Sequence, residues 1–511
     1  MRKRIFVLVI TVLMITSTMV GCGNKDKKET SNTENGNQQT AGENEPKKEK
    51  ELEFVELSWY YPGSPQSEQD VVFAEINKLL KEKINTKVNF HPVDWGSFEE
   101  KMKVKIGASE EFDICFTANW MNNYQKNVSQ EAFIAIDDLL NEYGSNILKG
   151  IPEKFWGATK IKGEIYGIPN YQISTMTNGF WFKKDLIDKY KVDYKELNTL
   201  DKWEVYLKTI KENEPQIIPT AICAESGSNW GRMLVNYGFD EVGGRNIPGV
   251  VRLTDNSYKV INQFASDEFK SFVSKMHDWY EKGYIRDDAL AIQDPKGDIE
   301  AGKIASGMGG NYKPGADAEM SASYGEEYVN VKASESYLLT SSIIATLNAI
   351  SRTSKNPERA MMVLDLMNSD KEIYNMLCYG IEGTHYNKTG DNSIEIVEDS
   401  KYKPNTNWIF GNTFNAYLLP GQSQQTFDDT QAFNMNSEAS PILGFVFNQE
   451  PVSMQIAQCT TVVDEFILSL DTGTVVPDEY LPKFLDKLEK AGSQKIIDEM
   501  QKQVDEWLKT K

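Results

Sequence analysis

The sequence predicts an α/β protein built from more than one lobe, and three observations lead there. From Phe54 onward, strand-like and helix-like segments alternate, as they do in a lobe with a largely parallel sheet. Beyond its polar N-terminal stretch the chain runs to roughly 460 residues, more than one hydrophobic core usually supports. Its composition is that of a folded protein, 40% hydrophobic and 25% charged, with no repeat of fixed period to suggest a solenoid.

The N-terminus reads as an export segment. Arg2, Lys3 and Arg4 precede an apolar run, Ile5 to Val20, of about sixteen residues. That length is near the lower limit for crossing a bilayer and suits the middle of a secretory signal peptide. Met19-Val20-Gly21-Cys22 resembles the lipobox of bacterial lipoproteins, in which cleavage precedes the cysteine and lipid is attached to its sulfur. The resemblance implies a signal peptide over 1–21, lipidation at Cys22 and a disordered tether over 22–53. The bland alternative is an uncleaved anchor with an incidental cysteine. Lys25 to Lys50, rich in Asn, Glu, Lys, Thr and Gly, lacks the apolar side chains to form a core.

The folded part opens with "FVELSWYYPG", a strand ending in a turn. Ser67 with Asp70 reads as a helix start, and Val72, Phe73, Ile76, Leu79, Leu80 and Ile84 recur at helical spacing. "TKVNFHPV" is strand-like and broken by Pro92, and Ser97 with Glu100 repeats the capping signal. "EFDICF" then alternates Phe112, Ile114 and Phe116 as a strand should. Later segments are more helical. Asn356-Pro357 opens one helix, Ser369 with Glu372 restarts another that Gly380 ends, and two amphipathic helices separated around Ala491-Gly492 close the chain.

Charge and cysteine usage narrow the function. A net charge of −20 opposes binding to nucleic acid and to anionic lipid surfaces. Cys115, Cys223, Cys378 and Cys459 are isolated, without a C-x-x-C pair, and read as buried free thiols; no metal or other cofactor is expected. Zincin, nucleophile-elbow and Walker signatures are absent. His91, His277 and His385 are the only histidines, so an enzyme would have few bases to draw on.

Several stretches, in order, carry a likeness to a known family. "GEIYGIPN" (163–170) followed by "NGFWFKKDLIDKY" (178–190), then "AGKIASGMGGNY" (301–312), then 342–386 ending in "GIEGTHY", resemble extracellular solute-binding lipoproteins of bacterial ABC importers. They resemble the oligosaccharide-binding kind, in a longer subgroup named for lipoprotein precursor A, which also ends in a helical segment like 487–507. The resemblance implies a two-lobe, periplasmic-binding-protein-like fold of type II, with ligand in the cleft between lobes joined by crossing strands. It implies lobe 1 from 54–170 plus 344–395, and lobe 2 from 171–343 plus 396–511 with the C-terminal helices. It also implies no enzymatic activity, a monomer anchored at a Gram-positive cell surface, an oligosaccharide or other small solute as ligand, and a membrane permease as partner.

A sugar site needs flat aromatic faces beside planar hydrogen-bonding groups. Ten Trp, 23 Tyr and 23 Phe supply more such faces than many cores need. The informative loops are those just past strand ends, where open α/β sheets bind ligands. They nominate Tyr60, Trp95, Asn119 and Trp120 from lobe 1. Tyr171 and Gln172 lie at the crossing, and Trp230, Arg232, Tyr312 and Trp408 come from the expected second lobe. Trp230 and Arg232 rank first, because the Gly-Ser-Asn run before them suggests an exposed turn. Core packing is the competing reading for each tryptophan. His385 reads as structural, at the surface. A secreted glycoside hydrolase or a peptide-binding lipoprotein is the alternative function, since 75 acidic residues offer many carboxylate pairs.

Overall fold

The computed structural model describes residues 52–224, 230–292 and 295–511; the segment expected to be a signal peptide, Cys22 and nearly all of the expected tether lie outside them. The first lobe is laid down by β1 (Val55–Pro62), α1 (Gln69–Ile84), β2 (Thr86–Val93), α2 (Trp95–Gly107) and β3 (Ile114–Thr117). β1 lies between β2 and β3 and runs parallel to both. Pro92 fits because β2 is the edge strand, where a missing N–H costs no ladder bond. The sheet then departs from the parallel expectation. Strand Leu347–Ile350 joins β3 antiparallel, and Ile168–Pro169 joins that strand antiparallel in turn.

Helix α1 buries Val72, Phe73, Ile76 and Leu80, the face its spacing predicts. The capping expectations hold less well. Neither Glu68 nor Asp94, the residues before α1 and α2, makes a side-chain cap, and α2 begins ahead of Ser97. At the second helix of the 357–379 pair the cap is Asp370, which accepts from the N–H groups of Glu372 and Ile373 at 3.0 and 3.1 Å. A carboxylate there suits the positive helix terminus better than the Ser369 hydroxyl would.

The second lobe has a three-stranded antiparallel sheet with Asn178–Lys183 in the middle, flanked by Ser306–Asn311 and Tyr328–Lys332. Helices Leu200–Asn213, Asp267–Glu281 and the C-terminal trio Ser453–Asp471, Pro477–Ala491 and Ser493–Leu508 share one hydrophobic core with it. Each lobe has its own core. One contains Trp59, Phe98, Phe116 and Tyr374; the other contains Phe180, Trp203, Trp279 and Phe484. No helix among the described residues is long and apolar enough to cross a membrane. Cys115, Cys378 and Cys459 are free thiols, and all three are buried, as is Cys223. Burial raises the thiols of Cys115, Cys378 and Cys459.

The chain passes between the cores three times, and the three passages pair with one another. Thr175–Met176, Tyr337–Leu338 and Glu438–Ala439 form one small sheet with Tyr337–Leu338 at its centre. The buried Asn434 side chain holds one edge, accepting from Ser174 N at 2.9 Å and donating to Gln172 O at 2.7 Å. The expectation that 396–511 lies wholly in lobe 2 is corrected here. Tyr402, Ile409, Phe410 and Ala416 pack in the first core, and the second receives the chain again only from Ile442. The third crossing is invisible to periodicity because its strand is two residues long.

Just past that crossing, Ser440 Oγ donates to Asp240 Oδ2 at 2.6 Å inside the protein. Burial, assisted by neighbouring Glu241, pushes the Asp240 carboxyl up to about 7. The folded state therefore holds a proton that the unfolded chain releases near pH 4. The stability this provides is complete below about pH 4 and is lost as pH rises through 7. Asp240→Asn should thus gain on the wild type by up to about 1.4 kcal/mol per pH unit between pH 4 and 7, levelling off above. Denaturant melts of both proteins across that range measure it; parallel curves would show that Asp240 does not titrate there.

Candidate functional site

Trp95 is the first residue of α2, Trp120 lies in the loop after β3, and Trp408 sits on a short 3-10 turn, Asn407–Ile409. The fold brings these three together. The Trp408 ring is stacked on Trp95 at 5.7 Å and 26°, and tilted against Trp120 at 6.4 Å and 41°. Phe116 meets Trp408 edge-on at 6.0 Å. Trp120 is 52% exposed, yet its Nε1 donates to Ala345 O at 2.8 Å, which fixes the orientation of the ring. A half-exposed, oriented indole backed by aromatic rings offers the kind of flat face on which the C–H face of a sugar can stack.

Trp408 reaches this position through a buried amide hub. Asn348 and Asn170 both donate through Nδ2 to Ile409 O at 2.7 Å, and Asn348 Nδ2 also reaches Asn170 Oδ1 at 2.9 Å. Trp59 Nε1 completes the hub by donating to Asn348 Oδ1 at 3.1 Å. The 3-10 turn is thereby bonded to the first sheet, so Trp408 belongs to lobe 1, not to lobe 2 as expected.

In the second lobe a pocket of about 720 Å³ opens, within the size range of small-ligand sites. Tyr194, Asn198, Asn236, Tyr312, Asn330 and Lys332 contribute to its lining. Tyr312 lies over strand Asn178–Lys183 at Gly179, where an added Cβ would come within 3.0 Å of the Tyr312 Cβ and 2.8 Å of Val331 O. Burial, then Asp317 and Tyr194, raises the Tyr312 hydroxyl, which therefore stays neutral and able to donate. Asn236 Nδ2 donates to Ala333 O at 3.3 Å, and Asn236 Oδ1 accepts from Asn178. Pocket and plate are linked along the chain. Lys332 to Glu335 line the pocket, Tyr337–Leu338 is the central crossing strand, and the carbonyls of Ser341 and Ala345 receive Asn119 and Trp120.

The remaining nominated residues fare differently. Asn119 donates to Ser341 O at 3.1 Å and so ties the Trp120 loop to the crossing segment. Tyr60 is corrected. It lies inside β1, stacked on His91 at 4.4 Å and covered by Lys105 and Lys101 at 4.9 and 5.6 Å, so both its faces are occupied. Tyr171 is also corrected: it is buried against Phe155 and Phe414 as part of the first core. Gln172 is committed to the hinge, with Nε2 on Thr346 Oγ1 at 2.9 Å and its carbonyl on Asn434.

Trp230, the leading candidate, is core. It is 1% exposed and ringed by Tyr237, Phe239, Phe269 and Phe272, while its backbone N–H donates to the buried Asp471 carboxyl Oδ2 at 3.0 Å. The polar run before it misled because a short helix, Trp230–Met233, turns the side chain inward at once. The side chain of Arg232 lies outside the described residues. His385 is buried, not at the surface. Its Nδ1 accepts from Ile381 N, leaving Nε2 to face Glu68 at 2.9 Å, which pins the start of α1 to the 380–385 turn.

Sequence reasoning missed Tyr194, Asn198, Asn236 and Asn330. Tyr194 and Asn236 lie within short 3-10 helices, Asn198 sits between one of these and the helix Leu200–Asn213, and Asn330 is mid-strand, so a search of strand ends passes them by. One available signal was Asn330 itself, a polar residue between Val329 and Val331 in a β-branched run.

Two cores, three paired crossings and a plate and pocket beside them describe a bilobal binding architecture. Residues 62–373 match the model of the bacterial extracellular solute-binding proteins. The chain belongs to that family. Residues 441–509 match a second family, described as a domain of unknown function. A carbohydrate ABC transporter substrate-binding protein of Streptococcus pneumoniae serotype 4 is 28% identical over 471 residues, covering 89% of this chain and 91% of the relative. The crystal structure of the N-glycan transport solute binding protein NgtS from Streptococcus pneumoniae is similar at a TM-score of 0.79 and 26% identity, over 89% of this chain and 99% of that one. Its complex with Man5GlcNAc, at the same coverage, gives 0.66 and 27%. The α/β, two-lobe fold expected from the sequence is the fold these relatives share.

The contrast between two tryptophans is testable. Trp230→Ala should cost about 3–5 kcal/mol of stability, because it empties a packed aromatic cage. Trp120→Ala removes a half-exposed ring and should cost about 1 kcal/mol or less. Calorimetry of the two variants measures this; an equal loss would place Trp120 in the core as well.

Proposed function

We propose that this chain is the substrate-binding component of an ABC importer, and that it captures an extracellular oligosaccharide in the cleft between its lobes for delivery to a membrane permease. The observation that carries this reading is the juxtaposition of two complementary surfaces along one crossing segment. Trp95, Trp120 and Trp408 offer aromatic faces, and Asn198, Asn236 and Tyr312 offer neutral donors and acceptors. Sugars need both, since each ring has an apolar C–H face and a rim of hydroxyls. The glycan-binding relatives named above support the same choice of ligand. Three short crossing strands leave the lobes free to close over a ligand, the usual motion of such clefts.

Binding without turnover belongs to this reading, and the lining supports it. A glycosidase sets two carboxylates across the scissile bond, and among the described residues that line the pocket Glu335 is the one carboxylate. Tethering at Cys22 rests on the lipobox resemblance. Each acyl chain would contribute about 0.8 kcal/mol per buried methylene, and the polar stretch after it would hold the lobes away from the membrane.

A thermal-shift screen of protein lacking residues 1–51 tests the ligand class. Man5GlcNAc and related oligosaccharides should raise the melting point, with stabilisation of about 2.7 kcal/mol at a hundredfold excess over Kd, and mass spectrometry should recover them unchanged. Stabilisation by peptides alone, or cleavage abolished by a single carboxylate substitution, would favour another reading. For the anchor, Cys22→Ala should release the full chain into the medium or leave it unprocessed. A membrane-bound variant of mature size would rule out lipidation there.

A further inference from the structure

The pocket contains a donor with nothing to donate to. Asn330 lies mid-strand, opposite Trp181, with core-facing Val329 and Val331 on either side. Its Nδ2 is shielded from solvent, and no acceptor meets it among the described residues. A buried amide N–H left unpaired is costly, and folded proteins rarely keep one unless a water or ligand completes it. Here the unpaired donor belongs to a residue that lines the candidate binding pocket, beside neutral groups of the same kind.

Those neighbours define what can fill the pocket. Asn198, Asn236 and Tyr312 each donate and accept, which matches hydroxyl and ring oxygens. The charged groups of the lining are Lys195, Lys332 and Glu335. The Lys332 ammonium already faces Glu335 at 3.4 Å and the Phe433 ring at 6.0 Å, while Lys195 is an exposed residue of the lining. A carboxylate on the ligand would meet one cation already engaged and one exposed and well solvated, whose pull is weak, within a protein of net charge −20 whose field repels anions.

We infer that the pocket takes an uncharged oligosaccharide, that Asn330 Nδ2 donates to one of its oxygens, and that the site discriminates against the same sugar backbone bearing carboxylates. This rests on the oligosaccharide-binding reading and adds charge selectivity and a specificity-determining residue to it.

Matched pairs test the inference: a galacto-oligosaccharide against an oligogalacturonate of equal length, and a neutral N-glycan against its sialylated form. Titration calorimetry should show at least one neutral member binding and its acidic counterpart weaker by about tenfold or more. Asn330→Ala should weaken the neutral ligand by about tenfold, yet leave the melting temperature of the empty protein equal or higher, because the unpaired donor is gone. Asn330→Asp, of the same shape but without the donor, should lose affinity as well. Acidic members binding as tightly as neutral ones would overturn the charge selectivity and leave the importer reading standing. Unchanged affinity in both Asn330 variants would remove Asn330 from recognition. Failure of every sugar to bind would overturn the oligosaccharide reading and this inference with it.

Discussion

The structure depends on a sheet of three very short strands. Thr175–Met176, Tyr337–Leu338 and Glu438–Ala439 are the passages between two separately packed cores, and their backbone groups find partners in one another. Buried backbone polar groups must be paired, so bringing the three passages together satisfies them without widening the contact between lobes. The consequence is mechanical. Because each lobe has its own core, a change of angle between them, as shear or hinge closure requires, would leave both cores intact. Asn434 and Ser440 extend the strap with side-chain bonds to Gln172, Ser174 and Asp240.

The surfaces proposed for recognition are built out from that strap. The central crossing strand is preceded by residues that line the pocket and followed by the carbonyls that hold Asn119 and Trp120. The Trp408 turn arrives from a different direction, bonded to the first sheet through Asn170 and Asn348. Neither asparagine lies in a loop that announces function, and both are almost fully buried. Their role is to supply donors for a carbonyl that would otherwise be unpaired, and so to set an aromatic plate at a defined place.

Reading by strand ends nominated Trp95, Trp120 and Trp408, which the fold brings together, because each follows a strand or a polar turn that the pattern exposes. It failed at Trp230, where a polar run does precede the residue but a four-residue helix reverses its direction. Tyr60 was nominated from the tail of a strand, and alternation puts it on the face covered by His91 and Lys105. Asn330 went unnoticed for the opposite reason: it sits in a strand interior, where side chains usually serve packing. Trp408 was nominated but given to the wrong lobe, because its attachment is a hydrogen-bond hub between residues 61 to 239 positions apart.

The sequence by itself determined the elements and the class. Alternating strands and amphipathic helices, the composition, the charge and the ordered family-like segments all act locally or in sum, and local periodicity carries them in full. Tertiary structure alone decided which aromatic residues meet, where the third crossing falls and which buried amides remain unpaired. Those outcomes depend on contacts between residues hundreds of positions apart, and no window of sequence encodes such a contact. Two residues of strand are too few to show a period, and a polar side chain looks the same in sequence whether or not its partner is within reach.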